Sequence, residues 1–240
     1  MKDHIILRLK EGLFTDLREF ALSIFYYSQP FGKGGFLIVF RDEAECFIDL
    51  VSKAYCAVPP NMSLHCIRHK ELFELSLPAH TTIDRIYECL HLPYWLKEHS
   101  IVIYGQDIRR EIKVPTHPRL LLDAHIEVCK HLLRNHIILG LLMHKMYIRL
   151  IKELDQHSKY LISTMLLMHN ESYVKADALP IRFEQLCTDN QLKHIRSNLN
   201  EIVRRIDNTR PGIPGTYKQS AIEAVWLFEN FLRSLRDYAG

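Results

Sequence analysis

Apolar positions follow two regimes along the chain, and the pattern changes near residue 116. In the first regime, apolar runs of strand length alternate with helical spacing. EGLFTDLREFALSIFYYS (11–28) sets Leu13, Leu17, Phe20, Ala21, Ile24 and Phe25 on one stripe, which predicts an amphipathic helix. GFLIVF (35–40) is a continuous apolar run and predicts a buried strand. EAECFIDLVSKAYCAV (43–58) returns to helical spacing through Ala44, Phe47, Ile48, Val51 and Tyr55, and VPPN ends it. MSLHCI (62–67) alternates as a second strand, TTIDRIYECL (81–90) reads as a helix, and SIVIYG (100–105) is a third strand closed by Gly105. Strands alternating with helices predict an α/β or α+β domain on a small sheet over residues 1–115, and the α+β form with a mixed sheet is the one expected here.

Strand-length patterns stop after KVPTHP. Thr116 suits an N-cap and Pro118 a first helical turn. From there a helical pattern runs for about nine turns at 3.6 residues per turn, with Gly140 as the expected kink. KYLISTMLLMHN, NQLKHIRSNLNEIVRRIDN and KQSAIEAVWLFENFLRSLRDYA supply further amphipathic helices. TRPGIPGTY (209–217) is a Pro/Gly loop among them. Residues 116–240 are therefore expected to form an all-α bundle of four or more helices.

Composition narrows the class. The 240 residues are 48% hydrophobic and 25% charged, a globular balance, with a formal charge of +3. That charge does not mark a nucleic-acid coating protein. The run IILGLLM (137–143) is too short to span a bilayer, and MKDHIILRLKEG carries charges through its apolar stretch, unlike a signal peptide. A soluble cytoplasmic protein without membrane partners is expected. The six cysteines form no C-x-x-C pair and read as reduced thiols.

The order of elements, with KEL after the second strand and HSIVIYGQDI leading into the bundle, resembles the minimal nucleotidyltransferase family. That family has a small polymerase-β-like fold, often joined to a helical domain of HEPN or substrate-binding type. The resemblance is carried by residues 28–42, 62–72 and 100–108. It implies that PFGKGG is the phosphate-cradling turn, with Gly32, Lys33, Gly34 and Gly35 as the nucleotide-binding residues. It also implies an Asp-x-Asp on the following strand and a third carboxylate on the next. Those carboxylates hold the divalent ions that neutralise a transferring phosphoryl group. Here the Asp-x-Asp positions hold Gly34 and Phe36, or Gly35 and Leu37 in the neighbouring register, and His65 stands at the third.

On this reading no catalytic residue and no metal ligand is assigned. The chain is expected to be a degenerate, non-catalytic nucleotide-binding or interaction module. It would need no cofactor and would take a nucleotide, a protein partner or a second copy of itself. Two alternatives stand beside it. One is an active, Mg²⁺-dependent nucleotidyltransferase with displaced carboxylates. The other is a toxin–antitoxin or RNA-binding component.

Other constellations carry less. GKGG lacks the hydroxyl residue of a P-loop. Asp42 and Glu43 lie about 20 Å from the start of their strand and suit a helix N-terminus. His65 and His69 are about 13 Å apart along a strand, too far to share a metal. His125, His131, His136 and His144 give no i,i+4 pair. Arg119 and His125 match the Arg–His spacing of HEPN ribonucleases, but they start the first bundle helix, with Leu120 where a polar residue is expected. Arg196, Arg204 and Arg205 are read as a solvated helix face or, failing that, an anion contact.

Overall fold

The computed structural model describes residues 14–30, 34–59, 62–73, 83–114, 118–131, 138–171, 174–208 and 217–239. They form two compact units. One holds the described residues up to 73 together with 88–114; the other holds 83–87 and those from 118 onward.

The first unit is built on a four-stranded mixed sheet: β1 (Ala21–Tyr27), β2 (Gly35–Phe40), β3 (Ser63–Arg68) and β4 (Ser100–Gly105), in the order β3-β2-β1-β4. β1 pairs antiparallel with both β2 and β4, while β2 and β3 are parallel. The parallel pair needs a crossover, supplied by α1 (Phe47–Ala57). Leu50 and Ala54 of α1 bury against Ile24, Phe36, Ile38, Phe40 and Leu64, with Phe14 and Leu17 completing this core. α2 (Ile83–His99) runs directly into β4.

The helix expected over 11–28 is corrected. Residues 15–17 form a single 3₁₀ turn and Ala21–Tyr27 is a strand. The cause is position in the sheet. β1 lies between two partners and is covered on both faces, with Ser23, Ile24, Phe25 and Tyr27 all buried. Such a strand shows no in–out alternation, and its apolar residues coincide with a helical stripe. β2, β3 and β4 fall within one residue of the predicted spans.

In the second unit the described residues contain helices and no strand: α3 (Pro118–Val128), α4 (Leu139–Met143), α5 (Tyr147–Leu166), α6 (Leu179–Leu186), α7 (Asn190–Asn208) and α8 (Tyr217–Ala239). α5 packs against α3, α7 and α8. It is buried almost continuously from Leu154 to Leu166, as a central helix must be. The long helix expected from residue 118 is broken. Gly140 sits within α4, whereas Lys145 takes a left-handed conformation (φ 56) just before α5 begins. Thr116 lies outside the described residues. No helix among the described residues is long and apolar enough to cross a membrane.

Candidate functional site

The end of the sheet where β1 stops and β2 and β3 start is the place to which the sequence pointed. Gly35 is the cross-strand partner of Tyr27 on one side and of Ser63 on the other; two residues further on, Leu37 is the partner of His65. Successive strand residues point to opposite faces. Phe36, Ile38 and Phe40 belong to the core shared with α1, so Gly35, Leu37 and Val39 occupy the other face. Of the two registers open in the sequence, Gly35 and Leu37 are the pair that shares a face with His65.

That face is filled by aromatic rings. Tyr27 is fully buried and stacks on Trp95 of α2, with ring centroids 6.1 Å apart and planes 19° apart. Trp95 stacks in turn on His91 at 5.6 Å, and His65 lies 6.1 Å from the Tyr27 ring. Burial pushes the His91 imidazole down to about 3, so it is neutral near pH 7. A Cβ at Gly35 would overlap the Tyr27 hydroxyl and sit 2.6 Å from its Cζ and 2.8 Å from the Ser63 carbonyl oxygen. The absent side chain of Gly35 is thus the space the tyrosine ring uses. Gly34 has φ +93, and a Cβ there would run into the Tyr27 carbonyl oxygen. Polar contacts close the edge: the Ser28 N–H donates to the His99 carbonyl (3.5 Å) and Gln29 Nε2 to Ser63 Oγ (3.3 Å).

Gly32 and Lys33 lie outside the described residues. Asp42 is exposed at the opposite end of β2, where its Oδ1 accepts the Lys70 N–H at 2.9 Å and pins the turn after β3. The Cys66 thiol is pushed up to about 12 by burial, and His69 Nε2 lies 2.9 Å from Glu111 Oε2. Among the described residues no group of three or more His, Cys, Asp or Glu could hold a metal ion. His125 is fully buried with its Nδ1 2.9 Å from Thr164 Oγ1, whereas Arg119 is exposed beside Asp123. The structure therefore does not bring Arg119 and His125 together at a surface.

The three arginines of α7 also separate. Arg196 is 5% exposed and its Nη1 lies 2.8 Å from Asp155 Oδ1, while Arg204 and Arg205 are exposed, Arg205 beside Glu201. Eight residues at about 100° each leave an 80° offset, enough to put one arginine inside and another out.

The Tyr27–Trp95–His91 stack escapes sequence reasoning, because the apolar residues of β1 coincide with a helical stripe. So does an open cleft of about 550 Å³ in the first unit, lined by Lys97, Asp107, Arg109 and Arg110. Arg109 Nε donates to Asp107 Oδ1 at 2.8 Å, and this bond holds the Asp107 carboxyl down at about 2. Arg109 Nη1 also donates to the Ser100 carbonyl at 3.3 Å. With Lys97 and Arg110, the lining carries three cations against one carboxylate.

No protein-family model matches the chain, and no curated protein matches it. Among solved structures, it is similar to the crystal structure of spectinomycin adenyltransferase AAD(9) from Enterococcus faecialis with ATP and spectinomycin. The two share 14% sequence identity at a TM-score of 0.51, over 96% of this chain and 99% of that one. The likeness shows the fold. The protein has a nucleotidyltransferase-like α+β architecture, a small mixed sheet followed by a helical region.

Proposed function

We propose that the chain is a degenerate nucleotidyltransferase-like protein, a module that binds a nucleotide or a partner without transferring a nucleotidyl group. Residues 1–115 are its nucleotidyltransferase-like domain, and residues 116–240 a helical domain of substrate-binding or HEPN type. The observation that carries this reading is the filled face of the sheet. The three positions at which the resemblance expects carboxylates are Gly35, Leu37 and His65, and the space in front of them is taken by Tyr27, stacked on Trp95.

The residues present do not fit Mg²⁺. A hard cation needs clustered oxygen donors, and these positions offer an imidazole, an isobutyl group and no side chain at all. Asp42, the nearest carboxylate along β2, is engaged by Lys70 at the far end of the strand. Nucleotide binding is supported by the cationic cleft beside β4 and, in the sequence, by the Gly-rich segment ending in Gly34. The cleft has the size of a ligand pocket, which runs from about 300 to 1,000 Å³. The burial of His125 favours a binding role for the helical domain over ribonuclease chemistry.

The test is incubation of the purified protein with each labelled nucleoside triphosphate, Mg²⁺ or Mn²⁺, and acceptors that include RNA and small aminated or hydroxylated molecules. The expected result is no label transfer and no pyrophosphate release, with weak nucleotide binding that Mg²⁺ does not change. Lys33→Ala lowers that binding if the turn is the site, and Arg110→Glu if the cleft is. Metal-dependent transfer abolished by Asp42→Ala would overturn the reading in favour of an active enzyme.

A further inference from the structure

α8 has two unlike faces. Ala221, Ala224, Phe228, Phe231 and Leu235 are buried, on the side that packs against α3, α5 and α7. The opposite stripe runs through Gln219, Ile222, Trp226, Asn230, Arg233 and Asp237, three to four residues apart as one helical face requires. At its middle Trp226 is 65% exposed, and Ile222, one turn before it, 46%. Tryptophan is a highly buried residue on average and is enriched at the centres of protein interfaces. The chain's other tryptophan, Trp95, is fully buried. A large apolar pair at the centre of a helix face, with charges at both ends of it, has the make-up of an interface core inside a polar rim.

The charges select the occupant. Lys218 and Glu223 precede Trp226, and Arg233 and Asp237 follow it. All four are exposed, and none forms an ion pair with another described residue. Along the helix the order is plus, minus, apolar centre, plus, minus. That order is complementary to its own reverse. A second α8 laid antiparallel sets Lys218 against the partner's Asp237 and Glu223 against the partner's Arg233. The midpoints of the two pairs, 227.5 and 228, agree to within half a residue. The two-fold axis then falls beside Trp226, about 5 Å along the helix from its symmetry mate at 1.5 Å rise per residue. In this register the other outward charges, Glu229 and Arg236, fall opposite Trp226 and Gln219, so no like charges meet. A parallel copy would set every charge against itself. We propose that the outer face of α8 is the interface of an antiparallel homodimer, with Trp226 and Ile222 of both copies as its core and the Lys218–Asp237 and Glu223–Arg233 pairs as its rim. The interface lies within the second unit and does not rest on the nucleotidyltransferase-like reading.

The experiment is sedimentation velocity of the full chain across the micromolar range. One helix face is a small interface, so the wild type is expected to show a monomer–dimer equilibrium with a dissociation constant of about 1–100 µM. Trp226→Glu is expected to weaken the dimer about tenfold or more. Glu223→Arg and Arg233→Glu each place like charges across the interface, and each alone is expected to do the same. Mixed in equal amounts, these two variants are expected to associate again as a heterodimer, because both rim positions are then of opposite sign. All three substitutions are at exposed positions, and thermal melts check that each variant is folded. A wild type that stays monomeric throughout would overturn the proposal. So would a dimer that survives Trp226→Glu unchanged, or Glu223→Arg and Arg233→Glu proteins that remain apart when mixed.

Discussion

Tyr27 and Gly35 are cross-strand partners in which the ring of one occupies the side-chain space of the other. The contact is tight against the Tyr27 Cζ and the Ser63 carbonyl oxygen, so a methyl group at residue 35 has nowhere to go without moving backbone. Gly35→Ala is expected to destabilise the protein by about 1–3 kcal/mol through overpacking. Tyr27→Ala should itself cost about 3–5 kcal/mol as a large-to-small core change. In the double mutant the clash with the ring is gone and only the contact with the Ser63 carbonyl oxygen remains, so the combined cost should be less than the sum. Urea melts of the four proteins in a double-mutant cycle measure this coupling, and strict additivity would show that the ring does not determine the glycine.

His91 makes stability depend on pH in a stated direction. Its folded value is lowered by burial to about 3, from an ordinary 6.5. Between those values the unfolded chain binds a proton that the folded one does not, so stability falls as pH falls. The contribution is full above pH 6.5 and is lost progressively down toward pH 3. One such group gives a slope of about 1.4 kcal/mol per pH unit. His91→Phe keeps a ring against Trp95 and should flatten the stability profile between pH 6 and 4 by roughly that slope. An unchanged profile would assign the acid sensitivity to other groups.

The Asp155–Arg196 pair joins α5 to α7 inside the second unit. Removing one partner of a buried pair leaves the other charge uncompensated, at a typical cost of about 3–5 kcal/mol. Because Lys159 also contacts Asp155, Arg196→Met should fall at the lower end of that range. Asp155→Asn, which strands two cations, should cost more. Thermal denaturation of both variants orders the two effects, and the reverse order would show that Lys159 does not share the charge.

Thiol reactivity should separate the cysteines by burial. Cys46 and Cys56 are exposed, whereas Cys129 and Cys187 are buried, and burial pushes Cys66 and Cys129 up to about 12. Since the thiolate is the reactive form, a disulfide reagent at pH 8 should modify Cys46 and Cys56 rapidly, and Cys66, Cys129 and Cys187 only on unfolding. Mass spectrometry of early time points reads the order. Rapid labelling of Cys129 would contradict the packing of α3 and its following turn.

The sequence alone determined the elements whose periodicity is unambiguous. β2 and β4 fall on the apolar runs GFLIVF and SIVIYG, and α7 and α8 on long stripes with polar opposite faces. In each, local pattern and tertiary burial point the same way. The Gly-rich segment PFGKGG could likewise be read from residue identities, and its expected link to a nucleotide from a family resemblance. Tertiary structure decided the rest. β1 is a strand because sheet partners lie on both sides of it, and burial on both faces erased the alternation that would have marked it. The register that puts Gly35, Leu37 and His65 on one face comes from the parallel pairing of β2 with β3, which no spacing along the chain encodes. Tyr27 fills that face through a stack with Trp95, sixty-eight positions away in the sequence. Arg196 is inside and Arg204 outside because the neighbour of each depends on how α7 is rotated against α5. Periodicity fixes which residues share a side of an element, but the partner that covers that side is set by contacts distant in sequence.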